Sequence, residues 1–125
     1  MAELKDTAIR AERAFLVGVQ TDTIPKGEAE SLLRELGGLA TSLGLEVAGS
    51  MPVKVRERTA ALFLGTGKAD EVVAAARAEN ADSIVFDHPL TPVQQRNWEK
   101  LADLKVYDRS ELIIKIFASR ALTKE

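Results

Sequence analysis

Residues Ile84–Glu125 read IVFDHPLTPVQQRNWEKLADLKVYDRSELIIKIFASRALTKE, and the punctuation of this stretch decides the fold. The apolar run Ile84-Val85-Phe86 stops at Asp87 and Pro89, and Thr91-Pro92-Val93-Gln94 then opens a helix with a capping-box spacing and proline at its first position. A second short strand around Val106 ends in Tyr107-Asp108-Arg109. Asp108 and Glu111 repeat the capping arrangement ahead of Leu112, Ile113, Ile116 and Phe117, the apolar face of a last helix. Two strand-to-helix units therefore stand back to back. Such units need crossover connections, which predicts a parallel pairing of the two strands. Gln94, Gln95, Arg96 and Asn97 carry more polar groups than capping and solubility require, which predicts a surface that contacts something.

Working upstream, Ala14–Val19 (AFLVGV) has the nearly continuous apolar character of a strand buried on both faces. Leu32, Leu33, Leu36, Leu39, Ala40 and Leu43 recur at helical spacing, with Gly44 where a left-handed terminator belongs. Gly37 and Gly38 lie inside that helix, so either the backbone packs closely there or the helix is weak. Leu45–Val55 reads as a second strand, with Pro52 marking an edge or a bulge. Ala61–Leu64 reads as a third strand, followed by the Gly65-Thr66-Gly67 turn and a helix whose buried stripe is Ala69, Val72, Val73 and Ala76. Ser83–Phe86 is then the fourth strand and Val106 lies in the fifth.

This alternation predicts an α/β domain, a single layered unit with a mainly parallel sheet flanked by helices. The second strand should lie toward an edge. Its link to the third is too short for a crossover, so those two should be antiparallel or apart. Residues 1–13 read as a flexible leader and 14–125 as the domain. The chain ends at Thr123-Lys124-Glu125 with no terminating glycine or proline, the look of a cut inside a longer protein.

With 125 residues and 46% hydrophobic content, the chain holds one domain's worth of core. Its 17 basic and 19 acidic residues leave a net charge of -2, which excludes the strong positive field of an independent nucleic-acid binder and makes any such contact local. There is no cysteine, signal-peptide pattern or apolar run of transmembrane length, so a cytoplasmic location is expected.

The chemistry is carried by a few groups. Gly65-Thr66-Gly67-Lys68 follows an expected strand and opens a helix, where amides and a lysine can hold an anion; it reads either as a structural turn or as a phosphate-binding loop. It is not a P-loop, because the G-x-x-x-x-G-K-[ST] spacing and the magnesium-binding hydroxyl are missing. Asp22, Asp87 and Asp108 fall past strand ends and raise the question of magnesium, but adjacent acids after the first strand are lacking and Asp108 is already a cap, so no metal is expected. His88 has no partnered nucleophile, and no catalytic residue is expected. Trp98 suits either the core stripe with Leu90, Val93 or Gln94, and Leu101, or a base-stacking platform. Lys54, Arg56, Arg58 and Lys68 set four cations against the single acid Glu57; the last helix adds Lys115, Arg120 and Lys124.

In order along the chain, Phe63-Leu64-Gly65-Thr66-Gly67-Lys68, Phe86-Asp87 with Leu90-Thr91-Pro92, Gln94-Gln95-Arg96-Asn97 before Glu99-Lys100, Val106-Tyr107-Asp108-Arg109, and Ile116-Phe117-Ala118-Ser119-Arg120-Ala121 resemble the N-terminal domain of the HflX family of ribosome-associated GTPases. The resemblance runs from about Arg13 to the last residue, with Trp98 in place of the expected leucine. It implies a partner of the large ribosomal subunit that contacts rRNA during ribosome splitting or rescue under stress. The rRNA-binding set is then Lys54, Arg56, Arg58, Lys68, Gln95, Arg96, Asn97 and Arg120. A separate GTPase domain, outside this chain, would hold GTP and magnesium, leaving no cofactor here and no enzyme activity of its own. The other class left open is a small-ligand or nucleotide-binding α/β module using the strand ends at Asp22, Gly65–Lys68 and Asp87.

Overall fold

The computed structural model describes residues 11–123, with side chains to residue 118. Residues 1–10 of the expected leader lie outside the described residues; Arg13 already belongs to the sheet. The elements are β1 (Arg13–Gln20), α1 (Lys26–Ser42), β2 (Glu46–Lys54), α2 (Thr66–Ala78), β3 (Ser83–Phe86), α3 (Pro92–Ala102), β4 (Lys105–Asp108) and α4 (Arg109–Thr123). The sheet order is β2-β1-β3-β4 and every pairing is parallel, as the alternation of strands and helices requires.

Winding reverses once. The chain steps from β1 to β2 in one direction, then crosses back over β1 to β3 and continues to β4. Right-handed crossovers place α1 on one face and α2 with α3 on the other. Side chains of β1 alternate accordingly. Phe15, Val17 and Val19 pack with Val72, Ala76, Trp98 and Ala102, whereas Ala14 and Leu16 pack with Leu36, Ala40 and Leu112. Helix α4 thus joins α1 on its face and touches it.

The expected third strand is absent. Thr59–Leu64 forms a turn in which Thr59 and Phe63 exchange backbone hydrogen bonds, so among the described residues the sheet has four strands and the predicted fourth and fifth are β3 and β4. Phe63 and Leu64 are buried, and their apolarity fills the core beside α2 without needing a ladder. Burial alone mimicked a strand in the sequence.

Strand β2 is an edge, as predicted. The Val55 N–H donates to Gln20 O, so alternation along the strand turns Val53 and Met51 toward β1 and Pro52 toward the open side, where its missing N–H breaks no ladder bond. The irregularity lies at Ala48 instead, where the register moves from Ala14↔Val47 to Phe15↔Gly49.

Helix ends follow their local signals. Gly44 (φ 95°) terminates α1, its N–H donating to Thr41 O while Leu45 N–H donates to Ala40 O. The capping box at Thr91 is complete, and Asp108 caps α4 through Glu111 N–H. Gly37 and Gly38 do not mark close packing. A Cβ at Gly38 would meet nothing within 4 Å, and one at Gly37 only Leu16 Cδ1 at 3.7 Å. In α4, Leu112 is buried but Phe117, expected on the apolar face, is 66% exposed. No helix among the described residues is long and apolar enough to cross a membrane.

Candidate functional site

The order of the strands reverses between β1 and β3, the place where doubly wound sheets open a crevice for ligands. At that place Asp87 is bonded into the sheet. Its N–H donates to Val17 O (3.0 Å) and its Oδ1 accepts from Val19 N–H (2.9 Å), continuing the ladder with a side chain. Oδ2 is buried without a hydrogen bond. Burial pushes the Asp87 carboxyl above the usual carboxylate range, against the opposing pull of the Val19 N–H, His88 and Arg109.

The acids at the strand ends have separate tasks. Asp108 accepts from Glu111 N–H through Oδ1 and from Leu90 N–H through Oδ2, both at 2.9 Å. Asp22 is exposed in the turn after β1. Among the described residues no group of three or more His, Cys, Asp or Glu side chains converges as a metal site would. The His88 ring stacks on Phe63 (centroids 4.2 Å apart, 28° between planes), with Nδ1 2.9 Å from Pro89 O. Since a carbonyl only accepts, Nδ1 carries the hydrogen in that contact.

At the open end of β2 a groove of about 390 Å³ is lined by Lys54, Val55, Arg56, Glu57, Leu64, Gly65 and Lys68. Gly65 is the N-cap of α2 and among the described residues no side chain caps that end, so N–H groups without an intrahelical partner and the positive end of the helix dipole lie at the groove. Lys54, Arg56, Arg58 and Lys68 are all exposed. Among the described residues the ion pairs lie elsewhere, at Arg13–Glu46, Arg109–Glu35 and Lys105–Glu12, and none engages these four cations. The Arg58 guanidinium stands 5.6 Å from the Phe63 ring centroid.

The turn that follows these arginines is tied to α3. Thr59 Oγ1 donates to Leu64 O (2.9 Å) and accepts from Leu62 N–H (3.1 Å). Phe63 has φ 69°, a left-handed conformation that costs a bulky residue about 1–3 kcal/mol and persists only where its surroundings enforce it. Beside the Thr59–Phe63 backbone pair and the burial of Phe63, three donors from α3 contribute to that enforcement. Gln94 Nε2 donates to Thr59 O (3.3 Å), Asn97 Nδ2 to Ala61 O (3.0 Å) and Trp98 Nε1 to Leu62 O (2.8 Å). Positions 94, 97 and 98 share one face of the helix because three- and four-residue spacings do.

Much of the polar surplus noticed in the sequence is therefore bonded internally. Gln95 Nε2 donates to Val106 O (2.6 Å) and Glu111 Oε1 (2.9 Å), while Arg96 is exposed. Trp98 is fully buried against Phe86, so it belongs to the core rather than to a stacking platform. Its stripe is Gln94, Trp98 and Ala102; Val93 and Leu101, expected there, are exposed. The side chain of Arg120 lies outside those described. The bonding of Thr59 and the ladder role of Asp87 escaped sequence reading, since both depend on partners distant along the chain.

The chain matches the family described as GTP-binding GTPase N-terminal over residues 30–118. It is 45% identical over 125 residues to the GTPase HflX of Akkermansia muciniphila, covering 100% of this chain and 29% of that protein. The GTPase HflX of Spirochaeta thermophila is 42% identical over 122 residues, covering 96% and 28%, and that of Escherichia coli 40% over 93 residues, covering 74% and 22%. The chain thus spans less than a third of the length of these relatives. With the family matched over most of its length and three relatives at this identity, the chain belongs to the HflX family, in the part described as the GTPase N-terminal region.

Proposed function

We propose that this domain is the ribosome-contacting part of an HflX-like GTP-binding protein and binds rRNA of the large subunit in ribosome splitting or rescue under stress. The observation that carries the reading is the set Lys54, Arg56, Arg58 and Lys68: four exposed cations without ion pairs among the described residues, three of them lining the groove at the N-terminus of α2 and Arg58 beside it over Phe63, on a protein whose net charge is -2. Phosphate contacts need such local clusters and not a basic whole. Gly65-Thr66-Gly67-Lys68 supplies the phosphate-binding loop. Arg96 adds a cation from the exposed side of α3. Gln95 and Asn97 keep their side-chain oxygens as acceptors for ribose hydroxyls, and Arg120 completes the set.

On this reading GTP and magnesium are held outside the residues of this chain, and catalysis goes with them. Calorimetry with GTP and the 125-residue chain should accordingly give no heat of tight binding. The decisive experiment is co-sedimentation with purified large ribosomal subunits across a salt titration. Binding that weakens with salt, and weakens further in Arg56→Ala, supports the reading; sedimentation indistinguishable from a charge-matched unrelated protein overturns it.

A small phosphorylated ligand is the second reading, since the groove of about 390 Å³ falls within the size range of ligand sites. The rRNA reading is favoured because Arg58 and Arg96 lie outside the groove lining, so the cations extend over more surface than a small ligand covers.

A further inference from the structure

We infer that Gln94, Asn97 and Trp98 are positioning residues for the basic face: they fix the Thr59–Leu64 turn, and with it the arginines that precede it. The inference rests on the rRNA-binding reading and adds the residues that set its geometry. The turn has no ladder to hold it, because it leaves the edge of the sheet at Val55, and it contains the left-handed Phe63. Beyond its own Thr59–Phe63 backbone pair, the Thr59 Oγ1 bonds and the burial of Phe63 and Leu64, it is held from outside by the row of α3 donors on the carbonyls of Thr59, Ala61 and Leu62.

Arg58 directly precedes this turn, and its guanidinium lies over the ring of Phe63 inside it. Arg56 shares the groove with Leu64 and Lys68, on the far side of the same turn. The cations have no ion pairs of their own among the described residues, so their placement derives from the backbone that carries them and, for Arg58, from the Phe63 ring of the same turn. A loop already held in its binding shape loses less conformational freedom when a phosphate arrives. None of the three α3 side chains carries a charge, so none can release a counterion itself. A lowered salt slope in a neutral variant therefore reports positioning, whereas loss of a ribose contact by Asn97 Oδ1 would change affinity at fixed salt and leave the slope as it was.

Wild type, Asn97→Ala and Trp98→Phe, each as the whole 125-residue chain, are sedimented with purified large subunits over a range of salt. Arg58→Ala serves as the contact reference and Ala40→Gly, on the opposite face of the sheet, as the stability reference. Arg58→Ala should lower the slope of log affinity against log salt by roughly 0.7 to 0.9. Asn97→Ala and Trp98→Phe, though neutral, should lower that slope as well and weaken binding roughly threefold to tenfold at fixed salt, as expected for loss of one ordering hydrogen bond. Ala40→Gly should lower Tm and keep the wild-type slope. If Asn97→Ala and Trp98→Phe retain wild-type slope and affinity while Arg58→Ala does not, the positioning role is overturned and the rRNA reading stands. Absence of binding by wild type even at low salt would overturn the rRNA reading, and the inference with it.

Discussion

Trp98 Nε1 donates to Leu62 O at 2.8 Å from a ring that is wholly buried, so a single side chain both fills the core beneath the sheet and anchors the turn beside the basic groove. Folding and the shape of the candidate site are coupled through that bond. Trp98→Ala should destabilise the domain by about 3–5 kcal/mol, the range for truncating a buried aromatic residue. Trp98→Phe retains most of the packing but leaves Leu62 O without its donor, at a cost of about 1–3 kcal/mol. Urea unfolding of the two variants separates the contributions; equal losses would show that the bond to Leu62 matters more than the ring's volume.

Asp87 should make the domain respond to mild acid in an unusual sense. Its folded-state pKa is raised by burial, so the folded state binds the proton more tightly than the unfolded chain. As pH falls toward the carboxylate range, this group therefore adds stability, whereas most paired carboxylates remove it. Asp87→Asn keeps an oxygen for Val19 N–H and abolishes the titration. Relative to the variant, wild type should gain stability between pH 7 and pH about 4. Thermal melts across that range check the sign, and a difference independent of pH would refute it.

Tyr107 acts at the other end of the scale. Burial first, and then the charge and hydrogen bond of Glu12 with the charges of Glu111 and Glu99, push its pKa up to about 12. The unfolded chain ionises first, so the stabilisation is fully present below pH about 10 and lost as pH rises through the folded value. Tyr107→Phe should show a shallower alkaline decline in Tm. Absorbance titration of the single tyrosine gives the pKa directly.

Gly38 lies on the exposed side of α1, where an added Cβ meets nothing within 4 Å. Gly38→Ala should then stabilise the domain by roughly 0.5–1 kcal/mol, through helix propensity and a less flexible unfolded chain. A higher urea midpoint with an unchanged denaturant slope is the expected record.

On the basic face, Arg56→Ala, Arg58→Ala and Lys68→Ala remove exposed cations that have no ion pairs among the described residues. Each should leave Tm nearly unchanged and lower the logarithmic salt slope of ribosome binding by roughly 0.7 to 0.9. Loss of folding in any of them would show that the cluster is structural.

By itself the sequence determined what local chemistry can dictate. The apolar runs at Ala14–Val19 and Ser83–Phe86, the capping box at Thr91, the cap at Asp108 and the terminator at Gly44 each depend on residues a few positions apart, and each stands where it was expected. The parallel sheet follows from the same pattern, because a helix between two strands brings the chain back in the same direction. The roles of Ala61–Leu64, Gln94, Asn97 and Asp87 depend instead on contacts between distant segments. Phe63 and Leu64 are buried in a turn as readily as in a strand, and the left-handed φ of Phe63 leaves no mark in composition. Amides on α3 looked like a contact surface because their acceptors at Thr59 and Ala61 lie more than thirty residues away. Asp87 meets Val19 only once β1 and β3 have paired. Hydrogen bonds between distant segments exist only after the hydrophobic layers have fixed their separation, and the shape of the basic groove depends on them.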